Sequence, residues 1–211
     1  MVSRAHGGSV SLIELDEATE SLVNLAARLA GGAEHEVRAA LQVAYARTPH
    51  EWIEEVLLQT YLFAGFPRAL NGMREWRRLA PQPSATRATP SDTRSAGEAT
   101  CAQVYGEMYE KLRVNIRQLH PLLDDWMIEE GYGKVLSRQG LDLGRRELCI
   151  VAACVASGQD RQLQSHLHGA RNVGVPSAVI RASLESLRES VDTGLLQRAL
   201  KLWARIDNDV H

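Results

Sequence analysis

The hydrophobic and polar positions of the chain follow the period of an α-helix over residues 12–79 and again over residues 101–207. In the first of these segments, apolar residues recur every three or four positions, as at Leu22, Leu25 and Leu29. Neither segment contains the alternating, β-branched runs that are typical of a sheet. The pattern therefore predicts an all-α protein.

Local signals predict where the helices of the first segment begin and end. Gly31 and Gly32 separate a first helix from a second. The run Thr48-Pro49-His50-Glu51 is typical of a capping box with proline at the first helical position, so a third helix is expected to begin there. That helix is expected to end near Gly65, and Pro67 is expected to open a fourth.

A stretch without hydrophobic periodicity lies between the two segments. Residues 80–100 hold three of the seven prolines and are rich in Ser, Thr and Ala, which is typical of a linker. The sequence therefore predicts a first helical repeat at 12–79, a linker at 80–100, and a second helical repeat at 101–207 that starts with a helical extension.

The second segment repeats the first at an offset of about 126 residues. EHEVRAAL (34–41) aligns with DRQLQSHL (160–167), and PHEWIEEVLL (49–58) aligns with PSAVIRASLE (176–185). Farther on, Arg68-Ala69-Leu70 is echoed by Arg198-Ala199-Leu200 with a small slip. Two such copies are expected to pack about a pseudo-two-fold axis.

Composition excludes several classes of function. The formal net charge is −2, so the chain has no broad basic field for nucleic acids or anionic membranes. No apolar run approaches the 18 residues or so of a membrane span, and the amino terminus lacks the apolar core of a secretory signal. We therefore expect a cytoplasmic protein with neither nucleic-acid nor membrane partners.

A carboxylate and an imidazole are predicted to meet in the second repeat. Glu147 lies 11 residues before a turn at Gly158, and His166 lies 8 residues after it. At about 1.5 Å per residue the two lie at similar levels of an antiparallel helix pair, and His166 belongs to an apolar stripe. Such a pair can exchange a proton, although a satisfied buried hydrogen bond is the alternative interpretation.

The first repeat lacks this pair, because the aligned positions hold Ser21 and Ala40. A pair that the fold needed for stability would be expected in both copies, so its absence from the first favours a chemical role. No metal site is predicted, since His166 and His168 lie on roughly opposite helix faces rather than at i, i+4 spacing.

Several blocks of the sequence resemble the carboxymuconolactone decarboxylase family. They are YGKVLSRQGLDLGRREL (132–148), QLQSHLHGARNVGV (162–175) and, in the first repeat, EEVLLQTYLFAGFPRALNG (54–72). The resemblance implies the all-helical fold of the alkyl-hydroperoxidase D-like superfamily and assembly into a homotrimer or hexamer. In the peroxidase branch of that superfamily a CxxC motif precedes the histidine, whereas Gln159 and Gln162 stand at those places here, so the thiol chemistry is lost.

The resemblance further implies a carboxy-lyase that decarboxylates a small carboxylated lactone or oxo acid without a cofactor, as in the catabolism of aromatic compounds. His166 would carry the proton, Glu147 would orient the imidazole, and Glu55 of the first repeat would join them in a composite pocket. Substrate contacts are expected from both repeats, at Arg145, Arg146, Tyr61, Phe63 and Phe66.

Two other functions stay open at this point. One is a peroxidase-type redox protein, although Cys149 and Cys154 are interpreted as buried structural thiols. The other is a non-catalytic helical oligomer that binds a ligand, in which Tyr61 and Phe63 belong to the core and the two arginines form a solvated helix start.

Overall fold

The computed structural model describes residues 15–84 and 90–208, and all regular structure within these two ranges is helical. The prediction of an all-α protein is confirmed. The elements are, in chain order, α1 (Glu17–Gly31), α2 (Glu34–Arg47), α3 (His50–Leu79), α4 (Thr93–Tyr105), a 3₁₀ turn (Gly106–Met108), α5 (Tyr109–Leu119), α6 (Pro121–Trp126), a π-helix (Met127–Leu136), α7 (Leu143–Ser157), α8 (Asp160–Asn172), α9 (Ser177–Ser186), a 3₁₀ turn (Leu187–Glu189) and α10 (Thr193–Asn208).

Helices α1 and α7 pack against each other at the centre of the molecule. Their backbones come close enough that a Cβ atom on Gly31 would lie 3.0 Å from the carbonyl oxygen of Ala156. Around this pair lies one continuous apolar core, which reaches from Trp76 in α3 to Trp203 in α10. None of the helices within the described ranges combines the length and the apolar character needed to cross a membrane.

The helix bounds follow the offset that relates the two halves of the sequence. Helices α1 and α7 are each 15 residues long, and both are capped by an aspartate: Asp16 accepts from the Thr19 amide at 2.7 Å and Asp142 from the Arg145 amide at 2.9 Å. Helices α2 and α8 begin at Glu34 and Asp160. These bounds support the tandem repeat and its pseudo-two-fold packing, which remain predictions.

The predicted linker is too long at its carboxyl end, because α4 begins at Thr93. The Asp92 side chain accepts a hydrogen bond from the Ser95 amide at 2.9 Å and so caps this helix. Residues 93–100 therefore belong to the second helical unit, despite their Ser- and Thr-rich composition.

The predicted capping box at the start of α3 is wrong. The Thr48 hydroxyl donates to the carbonyl oxygen of Ala18 at 3.3 Å instead, so the helix begins at His50 without a side-chain cap. The predicted break inside this segment is present, since Gly65 has φ +82° and only glycine adopts that conformation at little cost.

The extension that precedes α7 is held by a close helix crossing. A Cβ atom on Gly97 of α4 or on Gly133 of the π-helix would overlap a backbone carbonyl oxygen of the other element. This approach brings the rings of Tyr105 and Tyr132 to 6.1 Å between centroids. The extension thereby covers one side of the hairpin formed by α7 and α8.

Candidate acid–base site

The side chains of Glu147 and His166 meet between α7 and α8. Glu147 Oε2 lies 2.8 Å from His166 Nδ1, the carboxylate is fully buried, and the imidazole side chain is 7% exposed. Gly169 makes this contact possible, because a Cβ atom at that position would lie 2.6 Å from Glu147 Oε2. The structure thus brings together the two residues that the helix spacing predicted to meet.

The second carboxylate oxygen of Glu147 is buried and has no hydrogen-bond partner among the described residues. A buried acceptor without a partner destabilises the folded state. A residue with a purely structural role would not be expected to carry one. The charge of the carboxylate acts on nearby hydroxyl and thiol groups. Burial raises the pKa of Tyr105 and of Cys154 to about 12 in each case, and the negative charge of Glu147 adds to both shifts.

The first repeat contributes one aromatic ring to this pair. The Phe63 ring packs edge-on against the His166 ring, with 5.6 Å between centroids and 85° between planes. A cavity beside Phe63, lined also by Gln59 and Cys149, measures about 10 Å³, which is room for one water at most. The imidazole of His166 is therefore accessible to solvent only over the small exposed fraction of its side chain.

The other two predicted aromatic residues lie together at the surface. Tyr61 stacks on Phe66 with 4.7 Å between ring centroids, and its hydroxyl lies 3.5 Å from a carboxylate oxygen of Glu130. Phe66 is 63% exposed. Of the three aromatic residues predicted to contact a substrate, only Phe63 packs against the His166 ring.

Glu55 does not join the Glu147–His166 pair, which corrects the predicted composite set. Its carboxylate is buried and accepts hydrogen bonds from Arg138 at 2.8 to 3.1 Å and from Arg146 at 2.8 Å. Burial raises the pKa of Glu55. The hydrogen bonds and the positive charges of the two guanidinium groups lower it by a larger amount, so the pKa of Glu55 lies below its ordinary value. Glu55 thus ties α3 to the start of α7.

The predicted substrate-binding arginines are engaged within the protein. Arg146 is fully buried, and besides Glu55 its guanidinium donates to Gln59 Oε1 and to two backbone carbonyls. Arg145 donates to Asp142 at 2.8 Å and lies over the Trp52 ring at 4.5 Å. Neither guanidinium is free to bind a substrate carboxylate, because the capped start of α7 packs against α1 and α3.

The two positions of the first repeat that align with Glu147 and His166 lie in an open groove. Ser21 and Ala40 line a groove of about 800 Å³ between α1, α2 and α9. The Ser21 hydroxyl donates to the carbonyl oxygen of Glu17, one turn earlier in its own helix. This groove is the largest of the described cavities, but it holds no counterpart of the acid–base pair.

Several residues that shape the site are not among those predicted from the sequence. Gly169 was detectable, because a glycine in a helix interior costs stability and indicates close packing. Arg138 and Gln59, which complete the network around Glu55, carry no local signal. Tyr105 and Tyr132 belong to the extension that has no aligned copy, so the repeat could not identify them.

Part of the second repeat is similar to a known protein family. Residues 121–205, which contain both Glu147 and His166, match the model of the carboxymuconolactone decarboxylase family. This region is similar to that family. The match lies in the second repeat, and the likeness of the first repeat to the family remains a prediction.

A relative from Schizosaccharomyces pombe (strain 972 / ATCC 24843), named Peroxisomal protein 2, is 30% identical over 128 residues. The alignment covers 58% of this chain and 60% of the relative. The chain therefore spans about three fifths of the length of this curated relative. The all-helical architecture and the family match are both consistent with the alkyl-hydroperoxidase D-like fold that the sequence predicts.

Proposed function

We propose that this protein is a cofactor-independent acid–base enzyme that decarboxylates a small carboxylated lactone or oxo acid. One observation supports it above the others: a buried carboxylate and an imidazole 2.8 Å apart lie within the region that matches the model of the carboxymuconolactone decarboxylase family. A further support is the Glu147 oxygen that has no partner within residues 15–84 and 90–208, because functional sites retain groups that stability alone would not favour.

In the proposed site Glu147 sets the orientation of the imidazole. When its carboxylate accepts the Nδ1–H of His166, Nε2 becomes the nitrogen that faces a substrate. Gly169 packs closely against the Glu147 carboxylate, and the Phe63 ring packs against the imidazole. Glu147 thus acts through His166 rather than on the substrate.

The proposed reaction replaces a carboxylate by hydrogen. The bond between carbon and the carboxylate breaks, carbon dioxide leaves, and the electron pair is delocalised onto the neighbouring carbonyl group. Protonated His166 then gives its Nε2 proton to that carbon, and solvent returns a proton to the ring. The buried Glu147 carboxylate stabilises the imidazolium while it holds the proton.

The thiols do not favour the peroxidase alternative. Burial raises the pKa of the Cys149 and Cys154 thiols to about 12, with the charge of Glu147 adding to the shift at Cys154. Reactive cysteines have a lowered pKa instead, because the thiolate is the nucleophile. Glutamines occupy the two positions where that chemistry would need cysteines.

Replacing His166 by asparagine is expected to lower turnover of a carboxylated lactone by about 10²- to 10⁴-fold, because the proton donor is lost. The measurement is carbon dioxide release by purified protein on a panel of lactone and oxo acids. His168→Asn is the matched control, since it makes the same change at an exposed position of α8, and it should keep full turnover. Equal turnover in the His166 variant would refute the role, and no turnover in the natural protein would favour a non-catalytic binding function.

We also propose that the chain assembles into a homotrimer or hexamer. Large apolar side chains are exposed on two surfaces: Phe66 and Leu70 on α3, and Leu119 and Trp126 near α5 and α6. Surfaces of this kind are typical of subunit contacts. Light scattering should give three or six times the 23.3 kDa mass of one chain, and a monomeric mass would contradict the assembly.

The location of the protein remains a prediction. The sequence predicts the cytoplasm, whereas the name of the Schizosaccharomyces pombe relative refers to the peroxisome.

A further inference from the structure

A groove between α8 and α10 collects positive charge. It has a volume of about 280 Å³, and its walls carry the cationic side chains of Arg161, Arg198, Lys201 and Arg205. Asp160 is the acidic residue on these walls. Four cations against one carboxylate leave three positive charges in the groove of a chain whose net charge is −2.

The charges in this groove are poorly compensated. Arg198 Nε lies 3.7 Å from Asp160 Oδ2, and both side chains are more than half exposed, so that ion pair is weak. Arg198, Lys201 and Arg205 follow one another at i, i+3 and i+7 on the exposed face of α10. Like charges at such spacings destabilise a helix, so folding does not account for their clustering.

The corresponding groove of the first repeat shows that helix packing does not require the cations. It lies between α2 and the second half of α3, and it is lined by Glu34, Arg68, Asn71 and Glu75. There Arg68 donates to two backbone carbonyls and Glu75 pairs with Arg38 at 2.8 Å.

At the offset of 130 that aligns Arg68 with Arg198, Lys201 stands opposite Asn71, and Arg205 stands opposite Glu75. The groove between α8 and α10 therefore carries cations at two positions where the groove of the first repeat carries a neutral residue and an acidic one.

We propose that the groove between α8 and α10 binds a small polyanion, a molecule that carries at least two carboxylate or phosphate groups. Arginine presents parallel N–H donors that match the geometry of both groups. Arg198 and Arg205 are two helical turns apart, about 10 Å along the axis, which suits a ligand with separated anionic groups. The volume fits a small molecule rather than a protein segment.

The inference does not rest on the proposed reaction. The groove lies on the face of α8 that carries Arg161 and Gln164, whereas His166 points from the opposite face toward Glu147. A polyanion in the groove would bridge α8 and α10 without touching the acid–base pair.

The test is isothermal titration calorimetry of the full chain with citrate, pyrophosphate and acetate at low and constant ionic strength. Saturable binding of citrate or pyrophosphate is expected, and acetate, with one charge, should bind at least about tenfold more weakly. Binding of citrate alone would identify a carboxylate ligand, and binding of pyrophosphate alone a phosphate ligand. Absence of saturable binding by both, or equal binding of acetate, would overturn the proposal.

Two double variants that reverse charge test whether the polyanion binds in this groove. The double variant Lys201→Glu and Arg205→Glu should weaken binding by about tenfold or more. The double variant Lys111→Glu and Arg181→Glu makes the same change of net charge at exposed positions elsewhere, and it should keep binding within about twofold. Equal losses in both would show a non-specific charge effect and contradict the groove. If the reversed variant does not fold, Lys201→Gln with Arg205→Gln tests the same contacts.

Discussion

Replacing Glu55 by alanine is expected to lower the free energy of unfolding by about 3 to 5 kcal/mol, because it leaves buried arginines without their anionic partner. The carboxylate accepts from Arg138 and Arg146 at distances down to 2.8 Å, and Arg146 is fully buried. Urea unfolding followed by circular dichroism measures the loss.

A surface ion pair provides the control for this prediction. Arg94 pairs with Glu129, and both side chains are more than 40% exposed, so Glu129→Ala should cost less than about 1 kcal/mol. Because the pKa of Glu55 in the folded protein is lowered, its stabilisation is present above the pKa of the unfolded chain and is lost as the pH falls through the folded pKa. A loss below 1 kcal/mol for Glu55→Ala, without this acid dependence, would contradict the structural role.

Replacing Glu147 by leucine is expected to lower turnover by about 10²- to 10³-fold and to lower the free energy of unfolding by less than about 3 kcal/mol. Turnover falls because His166 loses the carboxylate that orients its ring at 2.8 Å. The loss of stability is limited because the variant loses one buried hydrogen bond to His166 but also removes a carboxylate oxygen that is buried without a partner among the described residues. Turnover and thermal unfolding, measured on the same preparation, check both parts.

Glu147→Gln separates orientation from charge. The amide oxygen can still accept from Nδ1–H, so this variant should keep more turnover than the leucine variant. A leucine variant that turns over normally would remove Glu147 from the mechanism, and one that unfolds with unchanged turnover per folded molecule would show a purely structural role. This prediction rests on the proposed function, whereas the prediction for Glu55 does not.

The two adjacent residues Arg146 and Glu147 show where prediction from sequence stops. They are neighbours on α7, about 100° apart around the helix axis, so they face different parts of the molecule. Arg146 meets Glu55 of α3, and Glu147 meets His166 of α8. The sequence predicted the second contact because both partners lie on one hairpin, but it assigned Glu55 to the wrong partner.

The order of residues along the chain was enough to predict the helical class, the break at Gly65 and the meeting of Glu147 with His166. These features depend on hydrogen bonds and side-chain spacing over a few helical turns, which the order of residues specifies directly. Two features became visible in the folded structure alone: Glu55 and Arg146 neutralise each other, and four cations share one groove. Such contacts join residues far apart in the chain, and the packing of whole helices sets their distances.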